Sequence, residues 1–118
     1  AGFLLLIGQS QELVIDLIKR FVKQDDLDIL DVGCGEGRTL AALRDKFNTE
    51  STDGLEEDKE LVDKAKRKKL NVFIGNAENF TTNKRYDLIL LLDVLEHLEN
   101  DSRALDNCMR CLKEDGKR

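Results

Sequence analysis

The sequence lacks an apolar run of membrane-spanning length, an even set of cysteines and an excess of basic residues. Its longest apolar stretch near the start, residues 3 to 7, is far shorter than the roughly 20 residues that cross a bilayer, and no basic segment precedes it. Neither a transmembrane helix nor a signal peptide is therefore predicted, and we expect a cytoplasmic location.

The three cysteines do not form a disulfide framework, and an odd number is typical of a reducing compartment. Cys108 and Cys111 make a C-x-x-C pair, but they recur at helical spacing with Ala104, Leu105 and Leu112. No second cluster of cysteine or histidine is present to complete a zinc site. We interpret both as small apolar residues that pack in a core, and we predict no metal site.

Acidic residues outnumber basic ones by 24 to 19, which gives a formal net charge of -5 at pH 7. A polyanion such as nucleic acid or an anionic membrane would not be attracted to such a chain at long range. The charge therefore favours a small-molecule partner over nucleic acid.

Apolar periodicity divides the chain into alternating helices and strands, as expected for a parallel, doubly wound α/β sheet. With 118 residues, the chain is long enough for a single domain, residues 1 to 118. The predicted helices cover about 11 to 22, 37 to 47, 56 to 69 and 101 to 113, and the predicted strands cover 28 to 33, 50 to 53, 71 to 74 and 86 to 92.

The first predicted strand runs into three glycines at alternate positions, Gly33, Gly35 and Gly37. Glycine allows close approach of a ligand to the main chain, and a strand that turns at once into a helix leaves backbone N–H groups to bind it. The dinucleotide fingerprint G-x-G-x-x-G is not satisfied, because Arg38 stands where its third glycine belongs. This argues against a pyrophosphate cofactor.

Polar residues follow the other predicted strands, and parallel sheets bind ligands at the carboxyl ends of their strands. Asp53 closes the second strand and could accept hydrogen bonds from a ribose diol, a device that NAD enzymes share. Gly75 to Ala77 follow the third strand, and Asp93 to Leu98 follow the fourth. His97, the only histidine, and Glu96 could supply a general base, or His97 could only fix the loop by a local hydrogen bond.

Four ordered motifs resemble those of the class I S-adenosylmethionine-dependent methyltransferases. The stretch with Asp31 and the three glycines resembles motif I. The sequences GNAE at 75 to 78, YDLI at 86 to 89 and DVLEHL at 93 to 98 follow in the family's order. The segment from Ala104 to Lys113 is similar to the family's next helix, and the broad type 11 and type 12 groups are the most similar.

The resemblance implies a Rossmann-like sheet of strand order 3-2-1-4 and S-adenosylmethionine as cofactor. It implies that Gly33, Cys34 and Gly35 contact the methionine end, that Asp31 orients the loop and that Asp53 holds the ribose. Adenine would lie near Gly54, Asn76 and Ala77, with Asn76 in place of the family's usual acid. Gly37 and Asp93 complete the expected cofactor-binding set.

Members of the family continue beyond this point with further strands, so we expect a C-terminally incomplete domain that lacks the acceptor-reading half. The implied activity is in-line methyl transfer to an unidentified acceptor. Two alternatives remain, a non-catalytic cofactor-binding or interaction module and a nucleotide-dependent oxidoreductase.

The fourth strand, with Leu88 to Leu92, is expected at an open sheet edge. Self-association through this strand or the last helix would then follow.

Overall fold

The computed structural model describes residues 3–7, 11–21, 27–47, 51–91 and 101–114. The strands are β1 (Phe3–Ile7), β2 (Asp28–Val32), β3 (Ser51–Glu56), β4 (Asn71–Ile74) and β5 (Leu88–Leu91). The helices are α1 (Gln11–Phe21), α2 (Arg38–Lys46), α3 (Lys59–Arg67) and α4 (Asp101–Arg110).

The strands form one parallel five-stranded sheet in the order β1-β5-β2-β3-β4. The four strands expected from the sequence are β2, β3, β4 and β5, and they take the predicted order 3-2-1-4. The doubly wound α/β fold and its strand order are therefore confirmed.

β1 was not predicted as a strand, and its position corrects one expectation. It pairs with β5 through Phe3 opposite Leu88, Leu4 opposite Ile89 and Ile7 opposite Leu91. β5 therefore lies between two strands, and the expectation that it forms an open edge is wrong. Among the described residues the outer strands of the sheet are β1 and β4.

Helices cover both faces of the sheet, because the central strands are apolar on both sides. On one face, Val14 and Ile18 of α1 and Leu43 of α2 pack with β2 and β5. Farther along this face, Val62 and Ala65 of α3 pack with Leu40 and Val72. The opposite face carries α4, with buried side chains that include Ala104, Cys108, Cys111, Tyr86 and Leu30.

The packing on the α4 face agrees with the interpretation of the C-x-x-C pair. Cys108 and Cys111 are free thiols buried within this core. Burial, with a further contribution from Cys111, raises the pKa of Cys108 to about 12, so that the thiol stays protonated at neutral pH.

Of the helices that the structure describes, none is long and apolar enough to cross a membrane.

Candidate functional site

The loop between β2 and α2 adopts a conformation that only glycine accepts without strain. Gly33, Gly35 and Gly37 have φ angles of 74°, 60° and 91°. Two hydrogen bonds tie the start of the loop to β3, since the N–H groups of Gly33 and Cys34 donate to the Leu55 carbonyl at 2.7 and 3.1 Å. The loop is therefore fixed against the neighbouring strand at the carboxyl edge of the sheet.

The glycines at 35 and 37 differ in what surrounds them. A Cβ atom added at Gly35 would meet nothing within 4 Å, whereas one at Gly37 would lie 2.3 Å from Leu70 Cδ1. The Gly37 N–H donates to the Cys34 carbonyl at 3.0 Å. Gly37 thus packs against Leu70 and Ala65, and Gly35 is the position where a ligand has room to approach the main chain.

Cys34 lies in the loop itself, and Asp31 lies in β2, two residues before Gly33. Both are buried, and the Cys34 thiol contacts the Gly35 carbonyl at 3.6 Å. Burial raises the pKa of Cys34 to about 12, and the carboxylates of Asp31 and Glu56 add to the shift. The thiol is therefore neutral and a weak nucleophile, so any contribution of Cys34 to binding comes from its backbone.

Asp53 does not reach the carboxyl edge, which corrects the expectation that it ends its strand. β3 continues to Glu56, and Asp53 lies opposite Leu30 in the middle of the sheet. Its Oδ2 accepts from Tyr86 Oη at 2.6 Å and from Lys84 Nζ at 2.8 Å, and its Oδ1 accepts from Asn71 Nδ2 at 2.7 Å. With 2% exposure, Asp53 serves a buried polar cluster and is not placed to hold a ribose.

Glu56 is the acid that β3 carries to the edge, and sequence reasoning missed it. Its Oε1 accepts from the Gly35 N–H at 2.9 Å and its Oε2 from the Asp58 N–H at 2.9 Å. A carboxylate offers about four acceptor positions, so each oxygen can accept a second bond. The N-cap at Asp58 was the available signal, because a helix that starts at Lys59 leaves room for three more strand residues after Asp53.

Gly54 is enclosed by protein, so the expectation that it faces adenine is wrong. A Cβ atom there would lie 2.5 Å from Cys34 Sγ, 2.6 Å from Leu40 Cδ1 and 3.1 Å from Val72 Cγ2. The absence of a side chain lets β3 pack closely against α2 and β4.

Asn76 follows β4 at the same edge, but its side chain oxygen already serves the backbone. Oδ1 accepts from the N–H groups of Glu78 at 2.9 Å and Asn79 at 3.2 Å, which closes the turn after the strand. Ala77 is buried, and its carbonyl accepts from Asn107 Nδ2 of α4 at 3.1 Å. The structure thus brings residues 75 to 77 to the edge beside Glu56, with the Gly75 N–H donating to the Glu56 carbonyl at 3.0 Å.

The predicted residues Asp93, Glu96 and His97 lie outside the residues that the structure describes. Their roles stay predictions. The strand that precedes them, β5, is adjacent to β2, so its carboxyl end belongs to the same edge as the glycine loop.

A cavity of about 330 Å³ lies beside this edge. Its lining includes Leu55, Ile74, Gly75, Phe80 and Thr82, but neither Gly35 nor Glu56. The lining also includes Leu30 and Tyr86 of the core on the α4 face. The cavity therefore runs from the end of β4 along the α4 face and does not lie between the glycine loop and Glu56.

Residues 6–117 match the family model described as "Methyltransferase domain". The chain belongs to this methyltransferase family. Its membership confirms the resemblance drawn from the motifs.

The curated relatives include proteins named ubiquinone biosynthesis O-methyltransferase. The one from Rickettsia canadensis (strain McKiel) is 34% identical over 94 residues, which cover 76% of this chain and 40% of the relative. The one from Rickettsia typhi (strain ATCC VR-144 / Wilmington) is 33% identical over 110 residues, which cover 89% of this chain and 45% of the relative. The methyltransferase chain thus spans less than half the length of either.

The fold matches that of solved methyltransferases. The plantazolicin methyltransferase BpumL, solved in complex with SAH, superposes with a TM-score of 0.77 at 24% identity, and the match covers 88% of this chain and 42% of that one. This likeness confirms the Rossmann-like methyltransferase fold of the sheet.

Proposed function

We propose that this methyltransferase chain binds S-adenosylmethionine across the carboxyl edge of its sheet. The observation that carries the proposal is the pairing of Gly35 with Glu56: an open backbone position is held 2.9 Å from an acid at the end of the next strand. Family membership and the SAH complex of BpumL support the same cofactor.

Each part of the edge suits one part of the cofactor. The main chain from Gly33 to Gly35 would contact the methionine end, where Gly35 leaves room for close approach. Glu56, in place of Asp53, would accept hydrogen bonds from the ribose hydroxyls through its remaining acceptor positions. The backbone of residues 75 to 77 would contact adenine, since the Asn76 oxygen is occupied by its own turn.

When bound, S-adenosylmethionine would supply an activated methyl group for in-line displacement onto the acceptor. Such a displacement depends mainly on in-line positioning of the two reactants. The chain's own contribution is to fix the cofactor through the rigid loop and Glu56. Glu96 and His97 remain the candidates for a general base toward the acceptor, and Asp93 remains a predicted cofactor contact.

Calorimetry with S-adenosylmethionine, S-adenosylhomocysteine and NAD tests the proposal on the unmodified chain. We expect both sulfur nucleosides to bind and NAD to bind more weakly, because Arg38 opens α2 where a dinucleotide site needs a glycine. Tighter binding of NAD would support the oxidoreductase alternative instead. A methyl-transfer assay then separates an enzyme from a module that binds the cofactor without turnover.

A further inference from the structure

A second cavity, of about 400 Å³, opens at the amino ends of β3 and β4, the edge of the sheet opposite the proposed cofactor site. Three cationic side chains from separate elements line it, Arg44 of α2, Lys69 after α3 and Lys84 before β5. Neutral hydrogen-bonding side chains complete the polar lining, namely Ser51, Thr52 and Asn71. Its size is within the range of small-molecule sites.

The cations of this cavity exceed the carboxylates. The charge of Lys84 is compensated by Asp53, since Lys84 Nζ lies 2.8 Å from Asp53 Oδ2. Asp53 is the one acidic residue in the described lining. Arg44 is held by the Lys68 carbonyl at 3.2 Å and contacts Asp45 at 3.5 Å, where both side chains are largely exposed. Lys69 forms no ion pair with any residue in the described part of the chain. An excess of positive charge therefore remains, although the whole chain carries a net charge of -5.

The backbone at Lys69 gives an independent indication. Lys69 has a φ of 63°, the one positive φ among the described residues other than glycine. It occupies the position after the helix cap where glycine is strongly preferred, because the Lys69 N–H donates to Lys66 O and the Leu70 N–H to Ala65 O. A lysine is thus placed where the fold alone favours glycine, and this lysine is one of the residues that line the cavity.

The C-terminus of α3 lies near this cavity, and the partial negative charge of a helix C-terminus repels an anion. This repulsion is weakened here, because the last carbonyls of α3 are hydrogen-bonded. They accept from the N–H groups of residues 68 to 70 and from Arg44. These bonds reduce the partial negative charge that a helix presents at its C-terminus.

We propose that this cavity binds a small phosphate-bearing anion. Guanidinium and ammonium groups are the side chains that bind phosphate oxygens most strongly. The Ser51 hydroxyl and one amide hydrogen of Asn71 already donate to Asp53, so the Thr52 hydroxyl and the second amide hydrogen of Asn71 are the neutral donors left for the remaining oxygens. The site is separate from the proposed cofactor edge and does not depend on the assignment made there.

The proposal is tested by calorimetric titration of the 118-residue chain at constant ionic strength, with inorganic phosphate, pyrophosphate and adenosine monophosphate as probes. We expect saturable binding of at least one of them, with tighter binding of the ester indicating an organic phosphate and tighter binding of the inorganic ions a free one. No saturable binding of any probe at millimolar concentration would overturn the proposal.

Variants at Lys69 distinguish an effect on anion binding from an effect on the stability of the fold. Lys69→Gly should weaken binding of the tightest probe by about fivefold, the effect of one charged hydrogen bond at an exposed site, while its thermal unfolding midpoint rises because glycine suits the backbone. Lys69→Gln should weaken binding similarly. Lys66→Gln removes a charge from the last turn of α3, close to Lys69 but outside the lining, and should leave affinity unchanged. Equal losses in Lys66→Gln and Lys69→Gln would show only a general charge effect and would refute a defined site.

Discussion

Two carboxylates of β3, three residues apart, have different surroundings. Asp53 lies in mid-strand among hydrogen-bond donors that cover it almost completely. Glu56 lies at the strand end, where it accepts from two backbone N–H groups and remains partly exposed. The position of a residue along the strand, more than its chemical type, decides whether it stabilises the fold or can bind a ligand.

Replacement of Asp53 by asparagine should reduce the free energy of unfolding by about 2 kcal/mol, because the charged bonds to Lys84 and Tyr86 are lost and Lys84 is partly exposed. Although burial opposes ionisation, the bonds from Lys84, Tyr86 and Asn71 lower the pKa of Asp53 below its ordinary value. A lowered folded-state pKa contributes stability above the unfolded-state pKa of about 3.9, and this stability is lost as the pH falls further.

Urea unfolding between pH 7 and pH 2 measures both effects. The unmodified chain should lose stability below about pH 4, and Asp53→Asn should lose less over the same range. Equal acid sensitivity of the two chains would contradict this assignment of Asp53.

The two glycines at 35 and 54 should respond differently to alanine. Gly54→Ala places a methyl group against Cys34, Leu40 and Val72, and overpacking of this kind costs about 1–3 kcal/mol. Gly35→Ala meets no atom, but at a φ of 60° a residue with a Cβ atom is strained by about 1–2 kcal/mol, and the added methyl group occupies the space proposed for the ligand. Both variants should therefore lose stability in thermal unfolding, whereas titration with S-adenosylhomocysteine should show the larger affinity loss at 35. A larger affinity loss at 54 would contradict the site.

At the scale of elements, β4 and the core of β2 could be predicted within one residue, since apolar runs bounded by polar residues mark buried strands. The end of β3 could not. Gly54 and Leu55 follow Asp53 with little apolar content around them, and the charged run from Glu56 to Asp58 is typical of a helix start. Asp58 is one of three consecutive acidic residues, so the sequence offers it only as one possible N-cap. Its side-chain bonds in the structure show that α3 begins at Lys59 and that Glu56 belongs to the strand.

Asp58 caps α3 with its side chain, and its backbone N–H donates to Glu56 Oε2 at 2.9 Å. Asp58 Oδ1 accepts from the N–H groups of Glu60 at 2.9 Å and Leu61 at 3.4 Å. Asp58→Ala should therefore lower the free energy of unfolding by about 1 kcal/mol, measured by urea unfolding. Asp63→Ala, which removes an exposed pair with Lys59 on the same helix, should cost less than about 0.5 kcal/mol. Equal losses would show that the cap contributes nothing of its own.

At the scale of the whole molecule, the alternation of strands and helices predicted the sheet order of four strands, but not the fifth strand. Residues 3 to 7 are a continuous apolar run, and periodicity alone does not separate a buried strand from a buried helix segment in such a run. β1 pairs with β5, more than 80 positions along the chain. A parallel pairing of this kind leaves no local trace such as a hairpin turn. The expected open edge at β5 followed from that omission.

β1 should therefore protect β5 from other chains. Removal of residues 1–8 would leave the ladder groups of β5 unpaired on that side, and unpaired apolar strands recruit further chains. We expect the shortened chain to unfold at lower temperature and to show concentration-dependent light scattering, in contrast to the unmodified chain. The same scattering from both chains would contradict the protective role of β1.

The central claim is that Glu56, and not Asp53, holds the cofactor of this methyltransferase chain. The most direct measurement is the affinity for S-adenosylhomocysteine of the matched variants Glu56→Gln and Asp53→Asn, titrated by calorimetry at a temperature where both are folded. Glu56→Gln should weaken binding by about 1.5–3 kcal/mol through loss of charged hydrogen bonds, while Asp53→Asn should bind as the unmodified chain does. A loss confined to Asp53→Asn, with Glu56→Gln unchanged, would contradict the account.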